Sequence, residues 1–459
     1  MSFFVRDRSF YRRYFSMLGF IALQNLLIFA LNLMDNVMLG AYAEAAMSGA
    51  SLANQIQFLL SMIIGGIGDG VSVLCAQYWG QKQTTPIKRL IAVALRVGLC
   101  FALFFTAVSV FIPSHVLGLF SSDAEIIAQG SEYMRMLGIS FIFFTTSGIL
   151  LRVHQSVENV TLGYKVTTTS LLMNIGLNYV FIFGKLGFPE MGAVGAALAT
   201  LISRISECLI ILYYTVKRDQ KLKARLSDFI QIDKLIQKDF FTVALPVILS
   251  GTSWGVAMCL QTAILGHLGA SAVGANAIAT TLFQVITVVC YASATAASVM
   301  TGTAVGKGDL THIKPFTRTF QAIFLAIGLF SFLCLQGFRI PILSLYEKTI
   351  SPDTYRLAYD FIGVLSITVV GTAYQASCLT GIVRGGGNTK FVLFNDLIFM
   401  WGLILPASVL CAFVFNLSPM VVFICLKSDQ ILKCAVAAVH VNSYRWIKKV
   451  TRDVEAAQP

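Results

Sequence analysis

Charged residues are scarce in this chain of 459 residues, where Asp, Glu, Lys and Arg together make up 12%. A soluble domain usually carries about a quarter of charged residues, so a water-exposed surface of ordinary composition is excluded. Hydrophobic residues make up 56% of the chain, and the mean hydropathy is +0.76. This composition predicts an all-α integral membrane protein, because in lipid the backbone must satisfy its own hydrogen bonds.

Motifs of metal, nucleotide and catalytic chemistry are missing as well. The ten cysteines contain no CxxC pair and no Cys/His cluster with metal-site spacing, so we expect buried membrane thiols. No P-loop is present, which argues against ATP as the direct energy source. The five histidines form no cluster. We therefore predict no enzyme activity and no cofactor, and no metal beyond a sodium ion as a coupling ion.

The net charge of +12 does not indicate a nucleic-acid partner. The basic residues lie at the ends of apolar runs and form no stripe interleaved with aromatic residues, which is typical of membrane-protein loops. The segment 217–238 is the only long polar interruption and is rich in Lys and Arg. The positive-inside rule then predicts a multi-pass protein of the plasma membrane with both termini in the cytoplasm.

Twelve apolar runs are long enough to span a bilayer, which takes about 20 residues each. They lie near residues 16–39, 47–79, 90–113, 128–151, 165–184, 192–216, 240–266, 273–305, 316–338, 354–383, 391–414 and 418–441. The last run is the weakest because it contains Lys427, Asp429 and Lys433, so we expect it to pack against protein or to lie shallow.

The two halves of the chain repeat one another. The sequence DNVMLG, which starts at Asp35, aligns with QTAILG, which starts at Gln261, and GVSVLCAQYWGQK (70–82) aligns with AASVMTGTAVGKG (296–308) at the same offset. Each half has an even number of spans, so both halves share one orientation, as in parallel-repeat transporters. We predict an N-terminal lobe (1–216), a cytoplasmic connection (217–238), a C-terminal lobe (239–441) and a cytoplasmic tail (442–459).

Four patterns, in order along the chain, carry a family resemblance. They are MDNVMLGAYAEAAMSGASLANQI (34–56), GVSVLCAQYWGQK (70–82), LLMNIGLNYVFIFGKLGFPEMGAVGAALAT (171–200) and GIVRGGGNTKF (381–391). Together they resemble the multidrug and toxic compound extrusion (MATE) family. The resemblance implies twelve helices in two six-helix lobes, and export of organic, often cationic compounds in exchange for sodium ions or protons.

Asp35 is the first candidate for the coupling cation, because a carboxylate in an apolar run is costly unless it is paired or protonated. An interfacial Asp solvated by water is the alternative. Asn174 and Asn178 are four residues apart and share one helix face, where amides coordinate a cation or simply join helices. The resemblance implies a cation site at Asp35 with Asn174 and Asn178. Thr200 is a weaker addition, since a threonine hydroxyl usually bonds its own helix backbone.

The second half lacks the matching acids. Gln261 is the repeat mate of Asp35, and Trp254 and Ala373 stand where the sodium-coupled branch of the resembling family carries acids. We therefore expect an acid-poor C-terminal lobe and cation coupling in the N-terminal one. The candidates for lining a substrate cavity, with ordinary helix packing as the alternative, are Trp254, Met258, Gln261, Tyr291, Tyr374 and Gln375.

Three other charged residues are interpreted as structural. Asp69 is expected to face water or to pair with an arginine, and whether it takes part in transport stays open. Arg204 and Glu207, three residues apart, are expected to pair with each other.

The predicted function is multidrug efflux by cation-coupled antiport, with alternating access between two lobes. The expected partners are cationic lipophilic small molecules and the lipid bilayer, and the expected oligomeric state is a monomer. A flippase for a lipid-linked precursor is one alternative, although it would favour a more basic cavity. A membrane receptor or assembly factor without transport is the other.

Overall fold

A computed structural model of the chain describes residues 4–308, 311, 313–347 and 349–452. Every regular element in these ranges is helical. The main helices are α1 (Arg8–Tyr42), α2 (Glu44–Gly80), α3 (Thr84–Phe111), α4 (Ala124–Ser156), α5 (Val160–Ile182), α6 (Gly192–Arg218), α7 (Lys234–His267), α8 (Ala270–Lys307), α9 (Ile313–Tyr346), α10 (Pro352–Val383), α11 (Thr389–Val414) and the two-part α12, α12a (Pro419–Lys427) and α12b (Asp429–Asn442). The ends of the predicted lobe and tail, residues 1–3 and 453–459, lie outside the described residues.

Ten of these helices, all except α5 and α12, are long and apolar enough to cross a membrane within the described ranges. α5 has 23 residues, but its buried side chains include Asn174 and Asn178. The predicted all-helical membrane fold of about twelve helices in two lobes is confirmed. The long runs at 47–79 and 273–305 correspond to helices of 37 and 38 residues, which exceed a minimal span.

The last predicted span, 418–441, corresponds to α12, which is interrupted at Ser428. The Ser428 hydroxyl donates to the Cys425 carbonyl at 2.7 Å, and the Ser428 backbone N–H bonds the same carbonyl at 3.2 Å. Its φ of −68° and ψ of −22° are still in the helical region, so the interruption is a local turn. The serine hydroxyl competes for a helix carbonyl, which often bends a helix.

The chain divides into two compact units whose boundaries fall inside α1 and α7. The N-unit is Leu23–Ile248, and the C-unit is Met1–Ala22 together with Leu249–Pro459. The two boundaries are 226 residues apart, which is also the separation of Asp35 and Gln261 in the sequence repeat. The division into 1–216, 217–238, 239–441 and 442–459 stays a prediction.

Packing inside the units repeats as the sequence does. In the N-unit α4 contacts α2, α3 and α6, and in the C-unit α10 contacts α8, α9 and α12b. Glycines allow close approach in both, since a Cβ atom added at Gly49 would meet the Gly130 backbone, and one added at Gly371 would meet the Gln430 carbonyl. These glycine contacts bring α4 close to α2 in the N-unit and α10 close to α12b in the C-unit.

The connecting segment packs as part of the N-unit. Its short 3-10 helix, Leu226–Phe229, lies against α3. Lys221 Nζ donates to the Val157 carbonyl at 2.8 Å. Burial favours a raised pKa for Asp233, but hydrogen bonds from the Ile236 backbone N–H and the Arg89 guanidinium outweigh it and hold the pKa below its ordinary value.

Candidate functional site

A chain of polar side chains connects three helices inside the N-unit. Asn178 Nδ2 donates to Asp35 Oδ1 at 2.5 Å and to Asn174 Oδ1 at 3.0 Å, and Asn174 Nδ2 donates to Thr200 Oγ1 at 3.3 Å. Asp35 comes from α1, the two asparagines from α5 and Thr200 from α6. The structure therefore brings together all four side chains that the sequence proposes for the cation site.

The four side chains are shielded from the surroundings. Asp35 is 9% exposed and Asn178 is 0% exposed. Asn174 and Thr200 are buried as well. A carboxylate in such a position keeps its charge only where polar groups replace water, and in the described residues Asp35 has one such hydrogen bond, from Asn178.

Within this group of four side chains, one buried oxygen has no hydrogen-bond partner among the described residues. It is Asn178 Oδ1, which is buried. An unsatisfied buried acceptor costs about 1–3 kcal/mol. Proteins usually pair such atoms, so an acceptor left open beside a carboxylate is a place for a hydrogen-bond donor or a cation. A cation bound at Asp35 would have the Asn178 oxygen as a candidate second ligand.

The helical spacing of α5 explains how the sequence builds this site. Ser170, Asn174 and Asn178 follow one another at intervals of four residues and share one face. Asn178 bonds Asp35 and Asn174 bonds Thr200, whereas Ser170 Oγ lies 3.4 Å from Glu207 Oε2 on α6. The polar face of α5 is thereby used along its length by contacts inside the N-unit.

Arg204 and Glu207 pair as the sequence predicts. Arg204 Nη1 lies 2.8 Å from Glu207 Oε2, and the guanidinium lies 4.9 Å from the centre of the Phe144 ring. Asp69 also has an arginine partner, with its Oδ1 3.6 Å from Arg152 Nη1. These acids are engaged with arginines, unlike Asp35, whose hydrogen-bond donor is an amide.

Among the described residues, the six candidates for a substrate cavity in the C-unit do not form a hydrogen-bonded group as the four N-unit side chains do. In the described part of the chain no hydrogen bond joins any two of them. Gln261 is 3% exposed and accepts from Lys427 Nζ at 2.9 Å, while Trp254 and Tyr291 are 41% and 43% exposed. Met258 packs against the apolar core of the C-unit.

Two neighbouring residues of α10 reach different helices. Tyr374 donates to Gln321 Oε1 of α9 at 2.7 Å, and Gln375 Nε2 donates to Gln430 Oε1 of α12b at 2.8 Å. The structure thus ties Tyr374 and Gln375 into helix contacts, as it ties Gln261 into a contact with α12a. Their role in lining a cavity stays a prediction.

The C-unit contains a largely buried charged cluster that the expectation of an acid-poor lobe overlooks. Lys433 Nζ lies 3.1 Å from Asp396 Oδ1 and 3.6 Å from Asp429 Oδ2. Asp396 also accepts from the Ser250 hydroxyl at 2.6 Å, and Asp429 accepts from Gln430 Nε2 at 2.9 Å. The spacing of Asp429 and Lys433, four residues apart in an apolar run, is the signal in the sequence for this pair.

The two polar groups differ in what they can do chemically. In the N-unit a carboxylate is bonded by a neutral amide, so a proton or metal cation can add to it. In the C-unit the carboxylates of Asp396 and Asp429 already share the ammonium of Lys433. The described residues contain no group of three or more His, Cys, Asp or Glu that would hold a metal. Of the two groups, the N-unit one is the more open to reversible cation binding.

Comparison with known proteins gives consistent matches over most of the chain. The family model MatE matches residues 21–180 and 246–434. The "Probable multidrug resistance protein NorM" of Thermotoga maritima is 23% identical over 432 residues, covering 93% of this chain and 91% of that protein. The protein of the same name from Photorhabdus laumondii is 26% identical over 391 residues, covering 83% of each chain.

A solved structure shares the fold. The crystal structure of MATE in the bent conformation superposes with a TM-score of 0.83 at 19% sequence identity, covering 94% of this chain and 95% of that one.

Proposed function

The chain belongs to the MatE family of multidrug and toxic compound extrusion transporters, and from this premise we propose that it exports small organic compounds in exchange for a cation bound at Asp35. As a member of this family it is a multi-pass membrane transporter and not an enzyme. Its relatives carry the name multidrug resistance protein, which supports efflux of toxic compounds as its task.

The observation that carries the cation site is the open Asn178 oxygen next to Asp35. With Asp35 ionised, Asn178 donates to it through Nδ2. When a proton or a sodium ion joins the carboxylate, the amide oxygen of Asn178 becomes useful, since it accepts from a protonated acid and coordinates a hard cation. Binding of the cation thereby relieves an unsatisfied acceptor inside the N-unit.

Asn174 and Thr200 extend this arrangement. The hydrogen bond from Asn174 to Thr200 and the one that Asn174 accepts from Asn178 fix the orientation of the amides. We assign them a positioning role, with the Asn174 and Thr200 oxygens as further ligands if the ion is sodium. A proton needs only Asp35, so a proton and a sodium ion differ in how many of the four side chains they require.

Exchange follows from competition for one carboxylate. A cationic substrate and the coupling cation both gain from an ionised Asp35, and each excludes the other when bound. Alternating access between the two lobes would then release the substrate on one side and the cation on the other. We further propose cationic lipophilic substrates, a monomer, a plasma-membrane location and cytoplasmic termini.

The test is ethidium efflux from cells that lack their own pumps, with the sodium and proton gradients collapsed separately. The wild type is expected to stop when the gradient of its coupling ion is collapsed. Asp35→Asn, at normal surface expression, is expected to abolish the gradient-dependent efflux.

Asp69→Asn is the matched control, because Asp69 pairs with Arg152 at 3.6 Å and is outside the Asp35 chain of hydrogen bonds. It is expected to transport like the wild type. Gradient-driven efflux by Asp35→Asn at the wild-type rate would refute the assignment of the site. Failure of the wild type to move ethidium, together with flipping of a lipid-linked precursor, would favour the flippase.

A further inference from the structure

A surface pocket of about 480 Å³ lies beside the first turns of α4 in the N-unit. Its size is within the range of small-molecule sites, about 300–1,000 Å³. The pocket is lined by one stripe of α4 and by Ser114 of the short helix Pro113–Leu117. The stripe follows helical spacing and consists of Ala124, Ile127, Ala128, Ser131, Glu132 and Arg135. None of these residues belongs to the group of four side chains around Asp35.

Ser131 differs from the other serines of α4. Ser140, Ser147 and Ser156 each donate to the carbonyl three residues earlier, at 2.6, 3.2 and 2.6 Å. Ser131 is 8% exposed, and its buried hydroxyl oxygen has no hydrogen-bond partner among the described residues. Because a helical serine can satisfy its hydroxyl on its own backbone, a hydroxyl that lines a pocket without doing so is available to a ligand.

Glu132 and Arg135 are also unused by the protein itself. Both are exposed, and within the described ranges neither side chain makes an ion pair or a hydrogen bond. The same two residue types, also three apart on α6, do pair, since Arg204 and Glu207 are joined at 2.8 Å. The pocket therefore presents a carboxylate and a guanidinium whose hydrogen-bonding groups are free for a ligand of matching charges.

The length of α4 places these groups at the edge of the hydrocarbon core. A helix of 33 residues is about 50 Å long, and the core of a bilayer is about 30 Å thick. A centred helix then extends about seven residues beyond the core at each end, and Ser131 is the eighth residue of α4. Ile139, one turn beyond Arg135, is exposed, so the stripe continues from the charged groups into an apolar surface at the depth of the acyl chains.

We propose that this pocket binds a phospholipid whose headgroup carries a phosphate and a primary ammonium. The Arg135 guanidinium bonds the phosphate, the Ser131 hydroxyl donates to the same group, and the Glu132 carboxylate accepts from the ammonium. Arg135 lies about 4.5 Å deeper along the helix than Glu132. The phosphate of such a lipid is likewise nearer the acyl chains than the ammonium, and the chains then follow the surface at Ile139.

The test is native mass spectrometry of the purified full-length protein in detergent, with three lipids added singly. Phosphatidylethanolamine has a phosphate and an ammonium with N–H donors, phosphatidylcholine has no N–H donor, and phosphatidylglycerol has no ammonium. The wild type is expected to bind phosphatidylethanolamine about 3- to 10-fold more tightly than the other two, because only this lipid can donate a charged hydrogen bond to Glu132.

Three variants separate the roles of the polar side chains. Arg135→Gln removes the partner of the phosphate and is expected to weaken binding of all three lipids about 10-fold. Glu132→Gln removes only the partner of the ammonium, so phosphatidylethanolamine is expected to lose its advantage, while phosphatidylglycerol binds at least as well as before. Ser131→Ala is expected to weaken all three about threefold, the effect of one neutral donor.

Lys185→Gln and Glu190→Gln are the matched controls. Both residues are exposed in the connection between α5 and α6, and neither lines the pocket. Both variants are expected to bind the three lipids like the wild type, and elution as a single species on size-exclusion chromatography verifies folding. The lipid inference goes beyond the proposed export function and is measured without transport, so a wild type that does not move ethidium would refute the export proposal alone.

Equal affinity of the wild type for the three lipids, or a Glu132→Gln variant that still prefers phosphatidylethanolamine, would overturn the inference. A second arm adds glycerophosphoethanolamine, the same headgroup without acyl chains. Displacement of the lipid by an equal concentration of this soluble compound would show that the occupant is not a lipid. Loss of ethidium efflux in Glu132→Gln with unchanged lipid binding would assign the pocket to the exported compound and would equally refute the proposal.

Discussion

Lys433→Met is expected to destabilise the C-unit strongly, because it leaves two carboxylates without their shared counter-ion. Asp429 is 2% exposed and retains the Gln430 amide donor, at 2.9 Å, and the more distant positive charge of Lys427. Removing one partner of a buried ion pair costs about 3–5 kcal/mol. Asp396 retains its hydrogen bond from Ser250, and its side chain is 27% exposed, so we expect the lower end of this range, about 3 kcal/mol.

The assay is thermal unfolding of the purified protein in detergent, followed with a dye that fluoresces on reaction with thiols. Cys290 and Cys378 are buried in the C-unit and become reactive as it opens. Because unfolding of such a protein is usually irreversible, midpoints at one heating rate are compared instead of free energies. The Lys433→Met midpoint is expected to lie several degrees below that of the wild type.

The second-site variant makes this test specific. Asp429→Asn in the Lys433→Met background removes the buried unpaired charge and is expected to recover most of the lost midpoint. Asp396→Asn alone is expected to cost less, since Lys433 retains Asp429 at 3.6 Å. A Lys433→Met protein as stable as the wild type, or no recovery in the double variant, would refute the reasoning.

Two predictions concern the N-unit. Asn178→Leu retains the volume but removes both the donor to Asp35 and the open oxygen, so coupled ethidium efflux is expected to fall at least about 10-fold. Asn174→Leu is expected to lower efflux less, because Asn174 reaches Asp35 only through Asn178. Equal losses for the two would contradict this order. Arg204→Met is expected to lower the yield of folded protein by leaving Glu207 unpaired, and adding Glu207→Gln is expected to restore it; an unrepaired double variant would show that the pair is not the cause.

The main features of the fold and of the N-unit site follow from the sequence. Length, apolar runs and the repeat predict the helices and the two lobes. The four-residue spacing of Asn174 and Asn178 predicts their common face, and the resemblance adds Asp35. That Asn178 bonds Asp35 directly is not readable from spacing, because α1 and α5 are joined only by packing, across 143 residues of chain.

The C-unit cluster could not be predicted for the same kind of reason. Asp396 and Lys433 are 37 residues apart on different helices, and only the contacts of α11 with α12 bring them together. The charges of α12 appear in the sequence as a weakness of the last span. In the structure, Lys433 lies between the buried Asp429 and the partly exposed Asp396, so the same residues that lower the apolarity of α12 hold it in place.

Equilibrium binding of a cationic fluorescent probe to the purified protein, measured across sodium concentration and pH, tests the central claim most directly. If one carboxylate holds the coupling cation and attracts the substrate, the affinity of the wild type falls as sodium or proton concentration rises. The affinity of Asp35→Asn is expected to be lower and independent of both, while Asp69→Asn follows the wild type. The same dependence on the coupling ion in Asp35→Asn as in the wild type would contradict the account.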